Sequence, residues 1–432
     1  MSKHLMTGIS IYTGEKFIEK GYIFIEDGVI REVGEGRADW ELGREADSFQ
    51  SFENRKVLIA PGLVNAHTHT GMGYLRGVAD DVSFEEWLFN QMLPREELFT
   101  EEDVYWSALF SQLEMIKNGI TTFCDMYVFP STVCRSVAET GMRALITRGL
   151  IDSNGDGDGG RLEENIDAFN KWNGKANGRI KVGLGPHAPY TCSDEYLKKV
   201  SQIAYDRGMT VNIHLKEAAR ERDMYSFAKL GELGMFKNNT LAVHCVYLTD
   251  DDIKVISENG VNIIHNPSSN LKLANGVAPI TELLEKNVRI SLGTDSVASN
   301  NSLDIWREML LSALLHKGIK NDPLAIPAKL SWKFATINGA QALGFEKVGK
   351  IEPEYKADLI LVNLDDVSYY PLQNIESQLV YSGKSSDVLA TMVDGEWLYY
   401  FGKFPKMDAN KIKFEISERS RRINQEFLDS KK

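Results

Sequence analysis

VLIAPGLVNAHTH, residues 57–69, is a near-continuous apolar run that ends in two histidines, His67 and His69. Unbroken apolarity over a strand's length fits a parallel strand buried on both faces better than a surface strand, which alternates. Seven similar runs follow: ITTFCDM (120–126), ALITRGLID (144–152), IKVGLGPHAPY (180–190), TVNIHL (210–215), TLAVHCV (240–246), VNIIHNP (261–267) and RISLGTD (289–295). Longer amphipathic stretches separate them. Eight strand–helix units predict an α/β fold, a (β/α)8 TIM barrel. An open doubly wound sheet is the alternative, but no GxGxxG turn follows the first run.

The pattern differs on both sides of this region. Before it, GYIFIEDGVIREVG (21–34) reads as two β-rich runs with a Glu26-Asp27-Gly28 turn between them. After about residue 346, KADLILVNL (356–364) and VLATMVDGEWLYY (388–400) return to that type, and from about residue 408 the chain reads as a helix. The expectation is a small β-sandwich built from both chain ends. Residues 1–57 form its N-terminal part, residues 347–432 its C-terminal part with a final helix, and residues 58–346 the barrel.

The runs end in chemistry-bearing residues. Six of the eight histidines lie at such ends: His67, His69, His187, His214, His244 and His265. Asp295 closes the eighth run. One histidine at a strand end is more often a packed core residue; six with an acid, on the face where barrel enzymes carry their active sites, are better read as a site. His67 and His69 are two apart on a strand and so share a face. With His214 and Asp295 they can form a mixed nitrogen–oxygen site with an open position. That donor set suits one divalent metal, Zn2+ first, with Fe2+ or Ni2+ as alternatives. Such a cation lowers the pKa of water toward neutrality. Cys124 and Cys245, the cysteines nearest these ends, are read as packing residues.

The formal net charge of −12 argues against a polyanion partner, since nucleic-acid affinity rests on Lys and Arg. The zinc-deaminase signature H-x-E with P-C-x-x-C is absent. A small-molecule substrate fits better, and a homo-oligomer is compatible with it. Four cysteines without a CxxC pair, no apolar N-terminal segment and no membrane-length apolar run lead to the expectation of a cytoplasmic protein with no membrane partner.

PGLVNAHTHTGM (61–72), HLKE (214–217), AVHCVYL (242–248), HNPSSNLKLANGVAP (265–279) and LGTDSVASNN (292–301) together resemble the amidohydrolase superfamily over nearly the whole chain. LRGVADDVSFEEWLF (75–89) and LPREE (93–97) are similar to its 5′-methylthioadenosine/S-adenosylhomocysteine deaminase group, with triazine chlorohydrolases as relatives. One departure is Glu354, where the family's return segment usually has glycine.

The resemblance implies hydrolytic deamination of an adenine nucleoside with release of ammonia. His67, His69, His214 and Asp295 would hold the metal. Glu217 would protonate N1 of the purine, and His244 with Asp295 would take the water proton. Glu96 would read the ribose hydroxyls, His187 the sugar side, and Arg148 and Arg161 a substrate carboxylate. Guanine deamination and triazine dechlorination are the alternatives within the superfamily, and a catalytically dead scaffold is the alternative outside it. Asp152 to Glu163 also matches a calcium-loop pattern, but it follows a strand and has Gly159 at the usually apolar eighth position. An acidic glycine-rich loop is the simpler reading.

Overall fold

The computed structural model describes residues 2–152 and 157–431. Strands from both chain ends share one eight-stranded sheet. They are β1 (Lys3–Tyr12), β2 (Phe17–Glu26), β3 (Val29–Glu35), β4 (Ser48–Ser51) and β5 (Val57–Pro61), and, from the far end of the chain, β15 (Leu359–Asn363), β16 (Val388–Val393) and β17 (Glu396–Tyr400). Their order is β17-β16-β15-β5-β1-β2-β3, with β4 beside β1. β2 and β3 meet at Asp27-Gly28, both with positive φ (49° and 76°); the turn lies where the sequence put it but is a two-residue hairpin, with Glu26 still paired to Val29. Met6, Ile9, Ile23, Ile59, Leu359 and Met392 form part of its apolar core.

The apolar run 57–69 is two strands. β5 pairs with β1 and β15, whereas β6 (Leu63–Thr68) begins a parallel sheet. The break is Gly62, where a Cβ would lie 2.2 Å from the Thr121 side chain. Periodicity cannot show such a change of sheet, because both halves are buried and apolar.

The parallel strands are β6, β7 (Ile120–Tyr127), β8 (Arg143–Leu150), β9 (Ile180–Val182), β10 (Gly185–Pro186), β11 (Val211–Leu215), β12 (Thr240–His244), β13 (Asn262–His265) and β14 (Ile290–Leu292). They pair as β10-β8-β7-β6, with β9 on β8, and as β11-β12-β13-β14. A bridge between Leu184 and Val211 links the two groups. On the other side the Thr294 and Asp295 amides donate to the His67 carbonyl at 3.1 and 3.0 Å. Val64, Cys124, Leu145, Leu241, Val243 and Ile264, from five of these strands, share one buried cluster.

Helices follow the strands, and their starts are written in the sequence. Thr100 with Asp103 caps Glu101–Lys117, and Thr249 with Asp252 caps Asp250–Asn259, each as a reciprocal box. The C-terminal helix, Ala409–Ser430, is held to the first of these by Arg419 and Arg422, which reach Asp103 at 3.1 and 2.5 Å. All four cysteines are buried free thiols. Glu354 adopts φ 71°, the left-handed backbone that glycine tolerates best, and pairs with Arg31 at 2.9 Å. Among the described residues no helix is long and apolar enough to cross a membrane. Residues 153–156, the centre of the calcium-loop match, lie outside the described residues. Of its flanking acids, Asp152 accepts from Ser193, while Asp158 accepts from Gly160, Leu162 and Tyr196.

Candidate active site and metal centre

Four predicted ligands converge. His67 Nε2 lies 3.3 Å from His69 Nε2 and 3.2 Å from His214 Nε2, and Asp295 Oδ1 lies 3.1 Å from His69 Nε2 and 3.7 Å from His67 Nε2. The outer nitrogens fix what these atoms present. His69 Nδ1 donates to the Met126 carbonyl and His214 Nδ1 to the His187 carbonyl. In the neutral rings the Nε2 atoms therefore carry the lone pairs, and these face one another and a carboxylate oxygen. A buried cluster of acceptors repels itself unless a cation sits among them, and backbone carbonyls orienting the imidazoles are the usual support of a metal centre. Burial and neighbouring rings hold His67 and His214 well below the usual imidazole range, so both are neutral. His69, although burial opposes charge, is raised to about 9 by Asp295 and the Met126 carbonyl. A proton there, or a divalent cation in its place, balances the carboxylate. The donor set fits such a cation.

Asp295 is aimed by residues that sequence reasoning missed. Ser269 and Ser299 hydroxyls donate to its Oδ2 at 2.7 and 2.8 Å, leaving Oδ1 toward the imidazoles. Burial disfavours its charge, but His69 and the other rings keep its pKa well below the carboxylate range. Asp295 has φ 59°, His244 φ 72° and Lys216 φ 54°, a concentration of left-handed non-glycine backbone at the strand ends. Such conformations persist only where the surrounding structure over-determines them, and they cluster at active sites. Gly293 is required for a different reason: a Cβ would fall 2.4 Å from Asn266 Oδ1 and 2.9 Å from the His67 carbonyl.

Glu217 and His244 stand beside the cluster, with Glu217 Oε2 at 3.8 Å from His244 Nε2. Burial, aided by Asp295, lifts the Glu217 carboxyl to about 7 against the pull of His244. Its Oε1 accepts from Asn275 at 3.2 Å. His244 Nδ1 is paired with Asn270 Oδ1 at 2.8 Å, which leaves the Nε2 lone pair on the Glu217 side. Asn270 and Asn275 both lie in the HNPSSNLKLANG segment, whose sequence signalled a motif but no individual role.

Glu96 and His187 adjoin this centre, Glu96 through Tyr127, which packs near His69, and His187 through His214. The Glu96 carboxylate accepts from the Tyr127 hydroxyl, and burial raises its pKa. His187 packs edge-on against His214 with ring centroids 5.0 Å apart, hydrogen-bonds Thr191 at 2.9 Å, and is lowered to about 4, first by burial. Arg148 is paired with Glu164 at 2.8 Å and donates to the Gly149 carbonyl. Arg161 donates to the Asp158 carbonyl and begins the helix Arg161–Trp172 that carries Glu164. The two arginines thus flank one helix instead of facing each other as an empty fork. His265, at a strand end like the others, turns away from the centre and sits 3.4 Å from His316. The one-in-two alternation of strand side chains accounts for this: Ile264 is the residue of β13 that joins the inner cluster.

Residues 58–398 match the model of the amidohydrolase family. A Thermotoga maritima protein named 5-methylthioadenosine/S-adenosylhomocysteine deaminase is 43% identical over 412 residues, covering 95% of this chain and 96% of the relative. A 5′-deoxyadenosine deaminase from Methanosarcina mazei is 42% identical over 406 residues, 91% of each chain. Among solved structures, a zinc-bound adenosine deaminase from Xanthomonas campestris superposes with a TM-score of 0.91 at 30% identity, covering 98% of this chain and 99% of that one. The chain belongs to the amidohydrolase family, in the group that holds the 5-methylthioadenosine/S-adenosylhomocysteine deaminases.

Proposed function

We propose that this protein is a metal-dependent aminohydrolase that deaminates adenine nucleosides. It takes S-adenosylhomocysteine to S-inosylhomocysteine and 5′-methylthioadenosine to 5′-methylthioinosine, with adenosine a further substrate. The observation that carries the reading is Glu217: a buried carboxyl poised near neutrality, 3.8 Å from an oriented imidazole and beside the acceptor cluster. The deaminase names of relatives near 40% identity support the same chemistry.

His67, His69, His214 and Asp295 would hold one divalent cation, with Zn2+ favoured by the donor set and by the zinc-bound neighbour. That cation supplies Lewis acidity and lowers the pKa of water toward neutrality. The chain's own residues do the rest. Glu217, half protonated near pH 7, donates to the ring nitrogen next to the amine-bearing carbon. His244 Nε2, left with its lone pair by the Nδ1 contact with Asn270, accepts a proton from the attacking water, with Asp295 sharing that work. A proton then passes to the amine, the C–N bond breaks, and ammonia leaves as the carbonyl forms. Glu96 is assigned the ribose hydroxyls, His187 the sugar side, and Arg148 and Arg161 an acidic substituent, Arg148 by exchanging Glu164 for it.

We further propose that the two groups of parallel strands close into one (β/α)8 barrel over residues 58–346, supported by the Leu184–Val211 bridge and the Thr294 and Asp295 amide contacts with His67. Residues 1–57 and 347–432 would form the β-sandwich domain and its C-terminal helix. The buried free thiols fit work in the cytoplasm. A screen of adenosine, 5′-methylthioadenosine, S-adenosylhomocysteine, guanine and a chlorinated triazine for ammonia or chloride release tests the reading. Turnover of the adenine nucleosides supports it. Turnover of guanine or the triazine alone would shift it to the superfamily alternatives, and no turnover by metal-loaded protein would favour the scaffold.

A further inference from the structure

We propose that Arg220 is a further anion anchor at the mouth of the site, meeting, beside Arg148 and Arg161, the carboxylate of an amino-acid-bearing adenine nucleoside; the inference rests on the nucleoside reading above. Arg220 is exposed, on the short turn Ala219–Glu221, three residues after Glu217. Its guanidinium is bracketed by aromatic rings from two other segments, 5.4 Å from the centroid of Phe84, 5.8 Å from Phe89 and 4.9 Å from Tyr190. Tyr190 in turn packs on His187 with centroids 5.7 Å apart, and His187 packs on His214. A continuous wall of rings therefore runs from the metal cluster to Arg220, and Phe84 and Phe89 precede Glu96, the proposed ribose contact. The group attached beyond the ribose would leave the site along this wall.

Among the described residues Arg220 forms no ion pair with a carboxylate. Arg148 is already neutralised by Glu164, and must lose that partner before it can serve a substrate. Arg220 needs no such exchange. Rings on several sides also hold its planar fork in place, so less conformational freedom is lost when it meets a carboxylate. Phe89, 46% exposed, offers apolar surface to the thioether chain that would precede that carboxylate.

The test is kcat/KM for S-adenosylhomocysteine and for 5′-methylthioadenosine in wild type, Arg220→Met and Arg220→Lys. Methionine keeps an apolar stem against the rings and removes the charge. The ratio of S-adenosylhomocysteine to 5′-methylthioadenosine efficiency is expected to fall roughly ten- to hundredfold in Arg220→Met, mostly through KM, and by less in Arg220→Lys. If Arg220→Met does not fold, a fall of several-fold in the lysine variant, which keeps charge but not the fork, carries the same test. Equal losses on both substrates would mean that Arg220 only braces the rings, and an unmoved ratio would remove it from recognition; either overturns the anchor while leaving the deaminase intact. A wild-type enzyme that turns over neither nucleoside overturns the deaminase reading and the anchor with it.

Discussion

Replacing Glu217 by glutamine removes one ionisable proton and little else. The amide fills the same volume, and its oxygen can still accept from Asn275. A carboxyl near 7 holds its proton about half the time at neutral pH, the condition under which a group can both give and take a proton efficiently. Loss of such a positioned group costs about 10²–10⁴-fold in kcat/KM. The assay is the spectral change from adenine to hypoxanthine, run beside metal analysis of the same samples. Metal content should match wild type, because Glu217 is outside the proposed ligand set. The same burial predicts an opposite effect on stability. With the carboxyl raised from 4.5 to about 7 in the fold, the unfolded chain ionises first as pH rises between those values, so stability falls over that window. Above about pH 7 the cost levels off near ~3 kcal/mol. The glutamine variant escapes it and should be more stable than wild type at pH 8 by an amount of that order, with no such gain at pH 4. Activity within a few-fold of wild type, or a gain in stability at pH 4 instead of pH 8, would refute the role given to Glu217.

Other perturbations act on the supports. Ser269→Ala and Ser299→Ala each free Asp295 Oδ2 and should weaken metal affinity about 10–100-fold, read by competition with a chromogenic chelator. Asn270→Leu removes the partner that fixes the His244 tautomer; kcat should fall at least about tenfold with metal content unchanged, since an oriented base contributes 10²–10⁴-fold. Gly293→Ala forces a methyl group against Asn266 and the His67 carbonyl and should lower unfolding free energy by about 1–3 kcal/mol in denaturant titrations.

The convergence of His67, His69, His214 and Asp295 was legible because polar residues at the ends of apolar runs have few structural reasons to be there, although His69 lies one residue beyond β6 and not on the strand the two-residue repeat assumed. What the sequence could not show was direction and partnership. His265 obeys the same strand-end rule as His244, yet one turns outward to His316 and the other inward to Glu217. Arg148 looks free in sequence because Glu164, sixteen residues on, meets it only through the following helix. Arg220 looked like one charge among many in AARERD, since its aromatic bracket comes from residues 84, 89 and 190, far away in the chain. The split of run 57–69 at Gly62 was hidden for a related reason: a glycine between apolar residues does not tell which sheet each side joins.

The most direct test is to strip the protein with chelator, titrate divalent zinc back in, and follow ammonia release from 5′-methylthioadenosine against bound metal. Three imidazoles and one carboxylate converge in a single ligand cluster, so activity should be absent without metal, rise linearly, and saturate near one equivalent per chain. Deamination that persists after metal removal, or a break near two equivalents, would contradict it.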